Sequence, residues 1–475
     1  MSKLLKDKKL YLLLLIVIMF FGNLMLMNYS VDTYLLLASP KLMYVYEFVS
    51  AGRPITATFF FIQGLLHLPN YFMYISSYIL AVIFSTLSIY ELNKILDKYV
   101  SNRLLSMILA ISIIINPFII ELWLFIETGI MMLSIFSCIE AFKYFDNYIK
   151  NKNNKSIIKS FVWMLAALFS YQGTVAIFAS LSTVAIIKYS KTIKEFIKNN
   201  IIMFLLYIIP SLINYIFVIL LCRERVGSNH DLIKVLKMIL LSSNELIVKT
   251  FGLLPQGVFL VILIISLIIC FYYISRSKRK MFYILSIIYE IIIIYLFTIA
   301  PILPQNSDNL IIFPRTAYAF ASIIGILFIL VNKESNYKIL ISILIILLMI
   351  EFYSFTRIEI NRYILNYQDR QIIEQVDEKI KEYEKTTGNK IEKISFYNQE
   401  KSHMFYKYLY DNINDSAKNE RPNSLALFVH YTGRKVEEVE NDEKIYNIYF
   451  DNQHWQSFNL DQIILDGNTI HWYIY

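Results

Sequence analysis

Up to about residue 356 the chain alternates apolar runs with short polar joints. The first run, Leu10 to Met27, is followed by others near 68–91, 104–120, 127–145, 200–221, 254–274, 281–300, 316–331 and 338–355. A helix needs about 20 mostly apolar residues to cross the hydrocarbon core of a bilayer, and these runs lie near that length. The stretch 160–187 is longer, is flanked by Lys159 and Lys188, and holds Ser170-Tyr171-Gln172-Gly173 in its middle. It reads either as one tilted helix or as two short helices meeting at Gly173. The N-terminal residues Met1–Lys9, followed by an apolar run, look like the start of a signal peptide. They lack a small-residue cleavage site, so the run is expected to stay as a first helix.

The placement of positive charge chooses between the two readings of 160–187. With two helices there are about 11 spans. The basic residues then bunch at 3–9, 94–103, 143–159, 188–198, 276–280 and 333–338, all on one side of the membrane. The other side, before the tail, holds only Lys41, Arg53, Arg223, Arg225, Lys234, Lys237, Lys249 and Arg315. Lys and Arg concentrate on the cytoplasmic side, so the N-terminus is expected inside, and the joints carrying Asp32, Arg53, Glu121, Glu127 and Arg315 outside. A single helix across 160–187 would turn two lysine clusters outward.

Composition agrees with a polytopic α-helical membrane protein: 57% of residues are hydrophobic and 17% charged, against about 25% charged in soluble proteins. The net charge of +8 is spread over the joints and builds no basic domain. The expected partner is therefore the lipid bilayer, with no nucleic acid. The cysteines, Cys138, Cys222 and Cys270, stand in or beside apolar runs without metal-type spacing, and read as packing residues.

From Arg357 onward the charge density rises, and 357–475 reads as a separate, small α/β soluble domain after a transmembrane domain over 1–356. Gln368–Lys385 has helical spacing with alternating charge. Lys393–Tyr397 reads as a strand, Ser424–Tyr431 as a short helix, and Asp461–Tyr475 as a hairpin turning at Asp466-Gly467-Asn468. The histidines His403, His430, His454 and His471 are too scattered to suggest a metal site. No cofactor or metal is expected.

Polar groups near a bilayer are costly and seldom incidental. Three sets fall at the expected outer ends of helices: Asp32 with Glu47 and Arg53; the joint Asn116-Pro117-Phe118 through Glu121 to Glu127; and Phe313-Pro314-Arg315-Thr316, preceded by Gln305, Asn306, Asp308 and Asn309. A carboxylate there can take a proton from a sugar hydroxyl as general base. An arginine can bind a phosphate leaving group through two parallel bonds. Plainer roles stand beside these: a solvated carboxylate at a span end, or an arginine whose stem lies along the lipid. Glu290, inside the run 281–300, requires a partner or a wet neighbour.

The order Asn28-Tyr29-Ser30-Val31-Asp32-Thr33-Tyr34, then Gly52-Arg53, Asn116-Pro117-Phe118, Ser170-Tyr171-Gln172-Gly173 and Pro314-Arg315 resembles the polyprenyl-phosphate-glucose-dependent glucosyltransferases, including those that convert O-antigen serotype. The ending, Tyr449-Phe450-Asp451 through to Tyr475, is similar to the C-terminal domain carried by members in low-GC Gram-positive bacteria. The resemblance implies a GT-C fold in the bacterial plasma membrane. It implies a sugar donor linked to undecaprenyl phosphate, and a cell-surface polysaccharide as acceptor. Asp32 would be the catalytic base, Arg53 and Arg315 would contact the donor phosphate, and Tyr171 and Gln172 would line the donor site. Many relatives have two adjacent acidic residues where this chain has Val31-Asp32, which leaves Glu121 or Glu127 to supply a second carboxylate. Two other functions fit the same composition: a transporter or flippase, and a glycan polymerase or ligase.

Overall fold

The computed structural model describes residues 7–26, 29–38, 41–221, 237, 242–300, 312–332, 336–397, 424–451, 453, 455 and 457–474. The chain divides into two compact units. The first is Met1–Gly22 with Lys41–Thr356, and the second is Asn23–Pro40 with Arg357–Tyr475.

The first unit is helical, and the protein is a polytopic helical membrane protein. Among the described residues eight helices are long and apolar enough to cross a bilayer: Lys8–Met25, Tyr71–Leu96, Thr128–Asn151, Gln172–Tyr189, Ile193–Leu221, Val258–Arg276, Lys280–Ile299 and Tyr337–Thr387. Helices are what such sequences must form, because lipid offers no partner for backbone N–H and C=O groups. Side chains close three helix starts in this unit, those of Lys8–Phe21, Arg103–Ile114 and Asn154–Ser170: the oxygens of Asp7, Asn102 and Asn153 accept from Lys9, Leu105 and Lys155 backbone N–H groups. Burial separates the centre from the rim. Over an 18-residue apolar stretch of each, 83% of residues are buried in Gln172–Tyr189 and 78% in Thr128–Asn151, against 22% in Ile193–Leu221 and 28% in Lys8–Met25. The first pair is thus the core of the bundle, and the second pair leaves its leucines and isoleucines for lipid.

Two expected spans are broken, while 160–187 takes the two-helix form expected of it. The run 104–120 is a helix Arg103–Ile114, a bend, and a short helix Ile119–Trp123. The stretch 160–187 is two helices, Asn154–Ser170 and Ala176–Tyr189, joined through an extended Tyr171 and one 3₁₀ turn. The run 316–331 is also broken, into Tyr318–Ala321 and Ile323–Val331. Hydrogen bonds explain why these breaks are tolerated. Ser134 Oγ lies 2.9 Å from the carbonyls of Ala167 and Tyr171 and 2.8 Å from Thr174 Oγ1, satisfying groups that the interruption releases. Asn116 Nδ2 donates to Ile113 O, Tyr318 O and Ser322 Oγ, while its Oδ1 accepts from Phe118 N. That side chain splices the bend after Ile114 to the break before Ile323.

In the second unit a four-stranded sheet has the order β2-β1-β4-β3, with β1 Lys393–Tyr397, β2 Glu437–Glu438, β3 Ile463–Asp466 and β4 Thr469–Tyr473. Strands β3 and β4 form an antiparallel hairpin in which Asp466 faces Thr469, so Gly467-Asn468 is a two-residue turn. Strand β1 runs parallel to both β2 and β4. The helix Tyr337–Thr387 continues from the last apolar run into this unit and buries Ile373, Val376 and Ile380. Lys379 Nζ donates to Leu460 O and Ile463 O, both at 2.7 Å, and Arg434 pairs with Asp377 and Glu384. The expected helices Gln368–Lys385 and Ser424–Tyr431 lie within Tyr337–Thr387 and Ser424–Thr432.

Candidate functional site

A buried polar cluster in the first unit draws on four separate joints. Arg53 sits in the turn between the helices Lys41–Ser50 and Pro54–Leu65. Glu121 is on the short helix Ile119–Trp123, and Glu127 directly precedes Thr128–Asn151. Tyr171 and Gln172 occupy the break after Ser170, and Arg315 lies in the turn before Tyr318.

Two ion pairs form the frame. Arg315 Nη1 is 3.0 Å from Glu121 Oε1, and the Arg315 backbone N–H donates to Glu121 Oε2 at 2.6 Å. Arg53 Nη1 is 3.5 Å from Glu127 Oε1, and its Nε donates to Gln172 Oε1 at 3.3 Å. The carboxylates are nearly sealed, with 6% and 7% of the Glu121 and Glu127 side chains exposed, while the guanidiniums keep 19% (Arg315) and 22% (Arg53) open. The four charges sum to zero, which is how buried charge is made tolerable. Rings hold the guanidinium planes: Arg53 lies 4.6 Å over the Tyr171 ring, and Arg315 lies 4.6 Å from Phe125 and 4.3 Å from Phe313. The Tyr171 hydroxyl interacts electrostatically with all four charges.

Two glycines permit this approach. A Cβ on Gly173 would stand 2.6 Å from Tyr171 Cε1 and 2.9 Å from the Arg315 carbonyl oxygen. Gly52 has a φ of +74°, and a Cβ there would meet Val218 and the Gln172 amide. Gln172 Nε2 in turn donates to the carbonyls of Ala51 and Gly52, both at 3.0 Å, and to Asn214 Oδ1 at 3.2 Å. Asn214 Nδ2 donates to Gly52 O at 2.6 Å.

Of the residues expected from sequence, Arg53, Glu121, Glu127, Tyr171, Gln172 and Arg315 therefore meet. Glu47 stands half-buried on the helix Lys41–Ser50. Asp32 is on the helix Val31–Ala38, within the second unit, and its side chain lies outside the described residues. Gln305, Asn306, Asp308, Asn309, Cys222, His403 and His454 also lie outside them. Cys138 and Cys270 are buried and free. Sequence reasoning missed Asn214. An asparagine one turn after Pro210 in a mostly apolar stretch was the available signal. Glu290 is fully buried and accepts a hydrogen bond from Thr183 Oγ1.

A second polar belt runs from the middle to the far end of Thr128–Asn151 and takes in Asn70–Leu96 and Ala176–Tyr189. Lys143 bridges Glu91 (2.9 Å) and Glu140 (2.8 Å), Lys150 pairs with Asp146 at 2.6 Å, and Lys188 donates to Lys98 O. The helix Thr128–Asn151 links the two belts: Glu127 precedes it, and Lys150 is in its last turn. At 1.5 Å per residue its 24 residues span about 36 Å, enough to separate two membrane faces.

Chemically, the cluster offers two oriented guanidiniums, each beside a carboxylate and an aromatic face. Such planes suit the bidentate recognition of phosphate. No group of three His, Cys, Asp or Glu side chains among the described residues is arranged to hold a metal ion. Comparison with protein-family models, with curated proteins and with solved structures returned no match to this chain.

Proposed function

We propose that the protein is an inverting glycosyltransferase that moves glucose or a similar hexose from an undecaprenyl-phosphate carrier to a cell-surface glycan. The observation that supports this reading is the convergence of Arg53, Arg315, Glu121 and Glu127 around Tyr171 and Gln172, at helix ends opposite a lysine-rich belt. In this reading the lysine belt is cytoplasmic, the N-terminus is inside, about 11 segments enter or cross the bilayer, and the cluster and the C-terminal domain face outward.

The reaction needs no nucleotide at that face. The carrier phosphate enters beside Arg315 and Arg53, displacing part of the charge balance that Glu121 and Glu127 now supply. The bond between the sugar C1 and the phosphate oxygen breaks, and its electron pair stays on the phosphate, where the guanidiniums stabilise it. The acceptor hydroxyl attacks C1 from the opposite side and gives its proton to a carboxylate acting as general base, the role that the sequence resemblance assigns to Asp32. The rings around the cluster offer apolar faces to the sugar and to the first isoprene units.

The test is to incubate membranes holding the protein with radiolabelled undecaprenyl-phosphate-glucose and, separately, the N-acetylglucosamine carrier. One label is expected to reach polymer, and Arg315→Ala is expected to raise the KM for the donor. Label in polymer from neither carrier, or lipid-linked sugar merely crossing the bilayer unchanged, would overturn the proposal.

A further inference from the structure

Within the second unit, the segment that carries Asp32 is held by an unusually specific clamp. Asn366, on the helix Tyr337–Thr387, makes a two-point contact with a single residue of the segment. Its Oδ1 accepts from Tyr29 N at 2.6 Å, and its Nδ2 donates to Tyr29 O at 3.1 Å. Arg362 Nη2 donates to the same carbonyl at 3.2 Å. Arg362 and Asn366 are four apart, so both project from one face of the helix. All three residues are buried: Tyr29 and Arg362 are 5% exposed and Asn366 4%. One carboxamide bonded to both the N–H and the C=O of one residue fixes that residue's rotation as well as its position, much as a strand partner would.

The clamp is transmitted without slack to the acidic residue. Ser30, next in the chain, closes the start of the helix Val31–Ala38: its Oγ accepts from Thr33 N at 3.1 Å and lies 2.8 Å from Thr33 Oγ1. Asp32 is the second residue of that helix, so its backbone is set by the clamp on one side and by the cap on the other. The helix is also braced along its length. Tyr34 OH lies 3.0 Å from Tyr431 OH, and the rings of Tyr29 and Tyr34 meet the His430 ring edge-on at 5.5 and 5.6 Å. A buried guanidinium on a peptide carbonyl is a costly way to hold a loop. An apolar contact would anchor the segment without fixing its orientation.

We infer that Asn366 and Arg362 are positioning residues for the transfer step, fixing the backbone that presents Asp32. The inference rests on the reading of Asp32 as general base. General-base catalysis depends steeply on placement, so loosening the clamp lowers kcat and leaves donor binding alone.

The test uses the full-length protein in membranes. Asn366→Leu removes both carboxamide bonds at similar volume, Asn366→Ser is a milder change that guards against misfolding, and Arg362→Met keeps the stem of the side chain without its donors. Each is expected to lower kcat by about 10- to 100-fold with donor KM within about twofold, and Arg362→Lys, which restores a donor, should recover most of the loss. In an Asp32→Asn background the same changes should add no further loss. Full kcat in Asn366→Ser and Arg362→Met, or losses that multiply with that of Asp32→Asn, would overturn the positioning role. A fully active Asp32→Asn would instead overturn the base assignment, whatever the clamp variants do.

Discussion

Replacing Glu121 by alanine removes two bonds at once and takes a buried carboxylate from beside the Arg315 guanidinium. Its carboxylate accepts from the Arg315 backbone N–H at 2.6 Å and from Arg315 Nη1 at 3.0 Å, with 6% of the Glu121 side chain exposed. A hydrogen bond to a charged group contributes about 1.5–3 kcal/mol, and leaving the partner of a buried pair uncompensated costs about 3–5 kcal/mol. Arg315 retains 19% exposure, through which water recovers part of that loss. The expected cost of Glu121→Ala is therefore about 3 kcal/mol. Arg315→Ala should cost less, because Glu121 keeps its bond to the backbone N–H at position 315. The double variant should cost about 2 kcal/mol less than the sum of the two, the coupling expected of residues in direct contact. The assay is reversible unfolding of the detergent-solubilised protein followed by tryptophan fluorescence. Trp123, on the same short helix as Glu121, reports on the region directly. A Glu121→Ala variant within about 0.5 kcal/mol of wild type, or a cycle that closes additively, would refute the pairing.

Gly173→Ala must displace either the Tyr171 ring or the Arg315 carbonyl oxygen, 2.6 and 2.9 Å from the new Cβ. It is expected to destabilise by about 1–3 kcal/mol and to abolish transfer, measured with the labelled-donor assay. His430 has its pKa pushed down to about 4 by burial against the tyrosine rings. The unfolded chain takes up this proton below about pH 6.5, the folded one only near 4. The His430 contribution to the stability of the second unit should therefore fall as pH drops from about 6.5 to 4, by at most about 3 kcal/mol. His430→Phe should flatten that slope in unfolding curves taken across the window. Asn214→Leu removes the acceptor for Gln172 and the donor to Gly52 O, and should cost about 1–3 kcal/mol in the same unfolding assay.

How much of this was legible in the sequence follows from what each signal depends on. The strand Lys393–Tyr397 and the hairpin around Gly467-Asn468 were readable because alternation and turn chemistry are local. The cluster was readable because charged residues are scarce between apolar runs, so Arg53, Glu121, Glu127 and Arg315 stood out one by one. What brings them together was not readable. Ser134, Asn116 and Gly173 act through carbonyls far away in the chain, those of Tyr171, Tyr318 and Arg315. The change at Arg357 reads as a domain boundary, yet the helix Tyr337–Thr387 runs through it: no glycine or proline interrupts 337–387, so the backbone continues unbroken. The grouping of Asn23–Pro40 with the second unit depends on Asn366 and Tyr431, more than 300 residues downstream of it. No local pattern reports a partner at that distance.

The central claim is that a carboxyl at position 32 deprotonates an acceptor whose sugar donor is held by its carrier phosphate. The most direct measurement compares wild type with Asp32→Asn in membranes supplied with labelled undecaprenyl-phosphate-hexose, following both label in polymer and release of undecaprenyl phosphate. The account predicts steady transfer by wild type and a loss of at least about 100-fold in the variant, at equal protein in the membrane. Equal turnover by the two proteins, or no release of carrier phosphate by either, would contradict it.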